Sequence, residues 1–328
     1  MKTYKESNQI LEEIKSKKNI LLCLHVNPDG DSIGSNLAFA AILETMQKKA
    51  AIYSVDEPQE NLDFLPGFKN IIQKDPNVAN FEELDLIIFL DTSEKLRATR
   101  HKHLPLPDNL STIVIDHHST NEGFGKLNLV DGDASSTGEI LFSLFSEWNI
   151  KIDKDTTLCL LSAIASDTGT FRWATTNHTL ETASKLIQLG ANLNKANFNL
   201  YSRTPFEMLK YQAEVVRKMR LDESNGKKFL WAATSYEEIE NMGGIKFAVG
   251  GSDLGKTVED TDFCIVLREE EKGVMTASLR SRTDIDVSRM ASLFGGGGHK
   301  AASGFIIKFE GKFENKVNEI INKIKSSI

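Results

Sequence analysis

The sequence predicts an α/β protein in which an N-terminal, mostly parallel open sheet flanked by helices is followed by a linker helix and a smaller C-terminal α/β domain with a mixed sheet. Three observations carry this reading. The short apolar runs Ile20-Leu21-Leu22-Cys23-Leu24, Leu86-Ile87-Ile88-Phe89-Leu90 and Thr112-Ile113-Val114-Ile115 each lead straight into Asp or His. Buried parallel strands look like this when a site lies at their carboxyl ends. Segments of helical spacing separate them, whereas the last third of the chain holds successive strand-length stretches and a glycine run.

In order, Tyr4 to Lys17 reads as a helix with Ile10, Leu11 and Ile14 on one face. The first strand enters His25-Val26-Asn27-Pro28-Asp29-Gly30-Asp31-Ser32-Ile33-Gly34-Ser35. There Pro28 fixes its own φ, Gly30 permits a sharp turn, and a helix leads out. Ala51 to Val55 is the next strand, while 58–76 mixes turns with short elements that the pattern does not place. The strand at 86–90 ends on Asp91-Thr92-Ser93, and Arg100-His101-Lys102-His103 after it reads as a solvated loop. The strand at 112–115 ends on Asp116-His117-His118, and Leu127 to Val130 is an edge strand. Ser136-Thr137-Gly138-Glu139 is a capping box that opens a helix with Ile140, Leu141, Leu144 and Phe145 inward. Asp153 caps the next helical segment, and the apolar stretch Leu158 to Ala165 ends on Ser166-Asp167-Thr168-Gly169. A helix over about Leu180 to Leu189 stops at Gly190. Pro205 then opens a helix carrying Met208, Leu209, Val215, Val216 and Met219.

The expected boundaries are therefore 1–190 for the first domain, 191–221 for the linker and 222–328 for the second domain. In the second, Lys228 to Ala233, Asp262 to Leu267 and Gly273 to Leu279 read as strands. A helix begins at Asp286 or Ser288, Phe305 to Phe309 is a strand, and Phe313 to Ile324 is a closing helix.

A chain of 328 residues with 40% hydrophobic and 26% charged content is that of a globular protein with room for two cores. No apolar run reaches membrane-spanning length, and the polar start lacks a signal-peptide apolar region, so a cytoplasmic protein is expected. Cys23, Cys159 and Cys264 lie in apolar stretches and read as core residues in a reducing compartment. The net charge of −7 argues against tracking along long duplex nucleic acid, which wants a basic footprint.

His25, Asp29, Asp31, Asp91, Asp116, His117, His118 and Asp167 form a set too acidic to sit together without cations. Taken singly, any one of these Asp residues is a helix cap or turn residue. Taken together, they suit a pair of divalent ions that clamp a phosphoryl group and activate water, with one carboxylate bridging both. Near the other end, Gly295, Gly296, Gly297 and Gly298 let a backbone approach a ligand and offer amide donors to an anion. The competing reading is an over-long helix C-cap. Arg280, Arg282 and His299 add groups suited to a terminal phosphate.

The motifs H-x-N-P-D-G-D-x-I-G-S, D-T-S, D-H-H and S-D-T-G-x-F, in that order, resemble those of the DHH phosphoesterases. Gly295-Gly296-Gly297-Gly298-His299-Lys300-Ala301-Ala302-Ser303-Gly304 resembles the GGGGH motif of the DHH-associated C-terminal domain, and Ser278-Leu279-Arg280-Ser281-Arg282 the arginine strand before it. Arg282 stands where relatives often have lysine. The resemblance implies one ion held by His25, Asp29 and Asp91, and a second held by Asp31, Asp91, His117 and Asp167. It also implies Asp116 beside the ligands, His118 facing the substrate phosphate, and the C-terminal domain gripping the nucleotide. The two ions would be Mn²⁺ before Mg²⁺ or Co²⁺, because mixed imidazole and carboxylate ligation favours manganese. The implied activity is hydrolysis of short oligoribonucleotides and of 3′-phosphoadenosine 5′-phosphate.

Several rivals share the metal motifs. An exopolyphosphatase or pyrophosphatase would lack GGGGH, and a linear-dinucleotide phosphodiesterase would act on a narrower substrate. A cyclic-dinucleotide phosphodiesterase would carry transmembrane segments, and a long-strand exonuclease would add a nucleic-acid-binding domain. A nucleotide-binding module without catalysis would show gaps in the ligand set. The partners expected are a short RNA or nucleotide and no membrane, with a homodimer allowed.

Overall fold

The computed structural model describes residues 2–244, 248, 250–298 and 300–328. The chain divides into two units, Met1–Arg203 and Thr204–Ile328.

The first unit is built on six strands, β1 (Asn19–Cys23), β2 (Lys49–Ser54), β3 (Ile71–Gln73), β4 (Leu86–Leu90), β5 (Ser111–Asp116) and β6 (Leu127–Val130). They lie in the order β3-β2-β1-β4-β5-β6, and every pairing is parallel. The chain winds from β1 outward to β3, then returns to start β4 on the other side of β1. That reversal splays the loops after β1 and β4 apart and opens a crevice at the carboxyl ends of these strands.

Among the described residues, six α-helices belong to this unit: α1 (Ser7–Ser16), α2 (Gly30–Thr45), α3 (Thr137–Glu147), α4 (Lys154–Asp167), α5 (Asn177–Gln188) and α6 (Leu193–Tyr201). The central strands are buried on both faces. Ile20, Leu22, Leu86, Ile88, Leu90, Ile113 and Ile115 face a core shared with the helices, while Leu21, Cys23, Ile87, Phe89 and Val114 pack beneath Ala98, Leu104 and Leu110. This explains why the strands read as unbroken apolar runs rather than alternating ones. Truncating a fully buried member such as Ile88 to Ala should cost about 2–5 kcal/mol. Helices α2 and α4 approach closely at Gly34, where a Cβ would stand 2.6 Å from the Cys159 carbonyl oxygen. That contact ties the helix bearing Asp31 to the helix bearing Asp167.

The second unit holds α7 (Phe206–Lys218), β7 (Arg220–Ser224), β8 (Lys227–Thr234), α8 (Tyr236–Asn241), α9 (Ser252–Gly255), β9 (Phe263–Glu271), β10 (Val274–Ser281), α10 (Val287–Ser292), β11 (Gly297–Gly298), β12 (Ala302–Lys308) and α11 (Phe313–Lys325). Its sheet runs β11-β12-β10-β9-β8-β7 and is mixed: β8 and β9 are parallel, the other pairs antiparallel. Phe229 and Phe263 stack at 4.8 Å inside the core that α10 and α11 cover. Tyr211 and Val215 of α7 pack with Ile239, Cys264 and Val266 on the opposite face.

The structure departs from the sequence reading at several places. The helical segment that Asp153 caps extends through the apolar stretch 158–165 as α4, which the sequence reading left without bounds, so Asp167 stands at a helix end. The segment 191–221 is shared between the units, because α6 contacts α4 in the first and α7 packs on the second sheet. Strand β7 pairs with β8 across Asn225-Gly226, both left-handed at φ 48° and 75°, a tight hairpin turn that the sequence reading passed over. All three cysteines are free and buried, as expected. Among the described residues, no helix is long and apolar enough to cross a membrane.

Candidate metal centre

The loop after β1 supplies His25, Asp29 and Asp31. His25 Nδ1 donates to the Val26 carbonyl at 2.9 Å, which turns Nε2 toward Asp29 Oδ1 at 3.7 Å and Asp91 Oδ2 at 3.3 Å. Asp29 is the N-cap of α2 and accepts from the amides of Asp31 and Ser32, so the cap reading and the site reading both hold for it. Asp31 is fully buried. Its carboxylate accepts from Ser35 Oγ at 2.8 Å, from Thr137 N at 2.6 Å and from Gly138 N at 3.0 Å. The first turn of α3 thus supplies amide donors and the positive end of a helix dipole to an acidic group of the first loop.

Strand β4 delivers Asp91, which is left-handed at φ 55° and donates its amide to the Ile115 carbonyl. Strand β5 delivers Asp116, His117 and His118. Asp116 is fully buried and accepts from the His117 amide, from His118 Nδ1 at 2.7 Å and from Asn121 Nδ2 at 2.7 Å. It therefore orients the His118 ring. His117 Nδ1 points to the Ala134 carbonyl at 3.4 Å. Its Nε2 faces Asp167 Oδ2 at 3.1 Å, Asp91 Oδ1 at 3.4 Å and Asp31 Oδ2 at 3.9 Å.

Ligand atoms of His25, Asp29 and Asp91 lie within 4.8 Å of one another, as do those of Asp31, His117 and Asp167, and those of Asp91, His117 and His118. The structure thus brings together the eight acidic and imidazole residues singled out in the sequence, with Asp91 shared between groups. His101 is elsewhere, 3.9 Å from Asp75, in the loop after β4.

The electrostatics follow from the crowding. Burial, then repulsion from Asp91 and Asp167, pushes the Asp31 carboxyl well above its usual range. Burial likewise pushes Asp167 up, to about 6. Burial works against charge on Asp91 too, but His117 and His25 carry its carboxyl well below the ordinary value. Burial disfavours the cationic forms of His25 and His117, yet the adjoining carboxylates more than offset this and hold both rings well above the usual value. The site gathers positive charge wherever it can find it.

Sequence reasoning missed the support behind Asp31. Ser136 caps α3 by accepting from the Glu139 amide, but Glu139 does not return to complete the box. Its buried carboxylate accepts instead from the Ser135 amide at 3.2 Å, Ser135 Oγ at 2.5 Å, Thr179 Oγ1 at 2.8 Å and His178 Nδ1 at 2.6 Å. The S-T-G-E pattern signals a helix start, and nothing in it signals a partner as distant as His178.

In the second unit, Arg280 on β10 holds Asp253 at 2.8 Å, and Arg282 reaches the Thr261 carbonyl. Gly295 is left-handed at φ 74° and closes α10, so it is a cap residue. Gly297 and Gly298 form β11 against Gly304 and Ser303, so the run continues into an edge strand past Gly296. His299 lies outside the described residues.

The N-terminal domain of the DHH family matches residues 19–164, and the DHHA1 domain matches residues 228–328. The bifunctional oligoribonuclease and PAP phosphatase NrnA of Thermus thermophilus is 29% identical over 293 residues, covering 88% of this chain and 84% of that protein. An exopolyphosphatase-related protein from Bacteroides fragilis superposes with a TM-score of 0.89 at 24% identity, over 98% of this chain and 96% of that one. RecJ in complex with Mn²⁺, from Thermus thermophilus, shares the fold at a TM-score of 0.58 and 11% identity, over 98% of this chain and 53% of that one.

Proposed function

We propose that this chain, which carries the N-terminal domain of the DHH family and a DHHA1 domain, is a metal-dependent phosphoesterase acting on short oligoribonucleotides and 3′-phosphoadenosine 5′-phosphate. The observation that carries the proposal is the convergence on Asp91. Asp91 Oδ1 and His117 Nε2 are buried and make no hydrogen bond, although oxygen and nitrogen face each other across 3.4 Å. With Nδ1 of both His25 and His117 turned to backbone carbonyls, Nε2 of each ring is aimed at carboxylate oxygens, a position that only a proton or a metal ion can fill. The same carboxylates that hold protons on these rings attract divalent cations, which take the protons' place and leave Nε2 as a ligand.

The residues therefore fit a pair of divalent ions. We assign His25, Asp29 and Asp91 to one, and Asp31, Asp91, His117 and Asp167 to the other. Such ions supply Lewis-acid polarisation of a phosphoryl oxygen and a water acidic enough to attack near neutral pH. The protein's own part is to hold these ligands in register and to orient the substrate. The α3 amides keep Asp31 aimed inward. Asn121 steadies Asp116, which steers His118 toward the phosphate that it contacts. Hydrolysis breaks the phosphorus–oxygen bond to the leaving nucleoside oxygen, which takes up a proton. Arg280, Arg282, His299 and the glycine run are assigned to a terminal phosphate of the substrate. Mixed imidazole and carboxylate donors favour Mn²⁺ over Mg²⁺.

The test is a substrate panel with metal-stripped protein and added Mn²⁺: a ribodinucleotide, 3′-phosphoadenosine 5′-phosphate, pyrophosphate, polyphosphate and a long single-stranded RNA. The proposal expects mononucleotide from the first, phosphate from the second and slow attack on the long strand, whose distant phosphates gain no basic contacts. Turnover confined to pyrophosphate or polyphosphate would overturn it in favour of the exopolyphosphatase or pyrophosphatase reading.

A further inference from the structure

Beside the acidic cluster lies a feature that metal chemistry does not use. Starting two residues after Asp167 the backbone is left-handed at three successive residues, Gly169, Thr170 and Phe171, with φ of 53°, 57° and 62°. Two of these bear side chains and pay in strain for that conformation. The turn delivers Arg172 and Trp173 to the surface. The Trp173 indole Nε1 donates to the Asp167 carbonyl oxygen at 2.9 Å, so the ring is anchored to the backbone of an acidic residue of the site. The same ring lies where a Cβ on Gly169 would stand, 2.1 Å from it, which makes glycine a requirement there. The Arg172 guanidinium lies 5.0 Å from the centre of the Trp173 ring and 5.8 Å from that of Tyr201, and its Nε donates to the Gly169 carbonyl. Tyr201 is tied in turn to the carbonyls of Ala165 and Ser166.

The result is an aromatic–guanidinium–aromatic ladder fixed to the end of α4. Trp173 is 47% exposed and Tyr201 42%, although both are large rings that folding normally covers. We propose that Trp173, Arg172 and Tyr201 form a stacking platform for the nucleobase attached to the phosphate bound at the acidic cluster. Planar aromatic and guanidinium faces are what single-stranded bases stack on, and a cation between them suits a ligand that carries a phosphate. Because every base has such a face, the platform accepts any base and prefers purines for their larger area. The proposal deepens the phosphoesterase reading and rests on it for the identity of the substrate.

The experiment has two arms. In the first, wild-type protein and Trp173→Phe are titrated with adenosine 5′-monophosphate and with ribose 5-phosphate, following tryptophan fluorescence. Trp148 and Trp231 remain as an internal background. The platform requires that the nucleotide quench the wild type, that the sugar phosphate not do so, and that the quench vanish in Trp173→Phe. In the second, Trp173→Ala should raise KM for a ribodinucleotide by about tenfold or more with a smaller change in kcat, and Trp173→Phe should restore most of it. Equal quenching by both ligands, or an unchanged KM in Trp173→Ala, overturns the platform. Should Trp173→Ala fail to fold, the comparison of the two ligands on wild-type protein decides alone. If adenosine 5′-monophosphate quenches Trp173 but the wild type cleaves no phosphate ester, the hydrolase reading falls and the platform stands. If ribodinucleotides are cleaved and no base-dependent quench exists, the platform falls and the hydrolase stands.

Discussion

Glu139→Ala is the perturbation that best separates support from chemistry. Glu139 is 2% exposed, and its carboxylate accepts from the Ser135 amide, Ser135 Oγ, Thr179 Oγ1 and His178 Nδ1. Ser135 and Thr179 are buried, so their three donors are stranded when the acceptor goes, whereas His178 is exposed enough to hydrate. Thr179 Oγ1 keeps a partner in Thr176 Oγ1 at 3.0 Å, which softens one of the three losses. At about 1–3 kcal/mol per stranded group, and with incomplete additivity, the loss is about 3–5 kcal/mol. For a unit of this size that is a fall in Tm of roughly 6–20 °C. The same network fixes the start of α3, whose Thr137 and Gly138 amides hold Asp31, so Mn²⁺ affinity should fall about 10–100-fold as well. Glu139→Gln keeps one acceptor oxygen and should lose about half as much of the stability. Thermal unfolding in chelator and Mn²⁺ titration by calorimetry read the two effects. A lower Tm with unchanged Mn²⁺ affinity would refute the link to Asp31, and an unchanged Tm would refute the burial argument itself.

Asp91→Asn should abolish turnover and reduce bound Mn²⁺ while leaving the circular dichroism spectrum intact; near wild-type activity at saturating Mn²⁺ would dismiss Asp91 as the shared ligand. Metal removal leaves Asp29, Asp31, Asp91 and Asp167 facing one another, so chelation should lower Tm. With Mn²⁺ at a hundred times its Kd the stabilisation is about 2.7 kcal/mol, or roughly 5–11 °C, and a chelator-insensitive Tm would count against a bound ion. Arg280→Ala should lower kcat/KM on a ribodinucleotide by about ten- to hundredfold, the worth of a charge-assisted hydrogen bond. Because Arg280 already pairs with Asp253, Asp253→Asn should not weaken substrate binding, and a loss there equal to that of Arg280→Ala would mean that the pair is structural.

Much of the site was legible because its residues follow strands that announce themselves. Leu86 to Leu90 is apolar throughout, so the carboxylate after it stands out, and the same holds for Asp116-His117-His118 after β5. Asp167 was legible as the acidic residue after an apolar stretch, and the helical segment that Asp153 caps runs on to it as α4. The Glu139–His178 contact was not legible, because it joins residues 39 positions apart through tertiary packing alone. Strand β11 was hidden for another reason: glycines carry no pattern, and only the partner strand decides whether they cap or pair. The division of 191–221 between two units likewise depends on which sheet each helix meets, which amphipathic spacing does not say.

The left-handed backbone at Asp91 has a consequence for how this position tolerates change. At φ 55° most L-residues bear a penalty of about 1–2 kcal/mol, which Gly escapes and Asn and Asp bear most easily. In a saturation library two independent filters therefore act on one codon. Conformation admits Gly, Asn and Asp; the need for a negative oxygen admits Asp and Glu. Their intersection has one member. A selection for solubility alone should enrich Asn and Gly at this codon, and a selection for catalysis should return only Asp, with Glu, the chemically nearest carboxylate, excluded by shape.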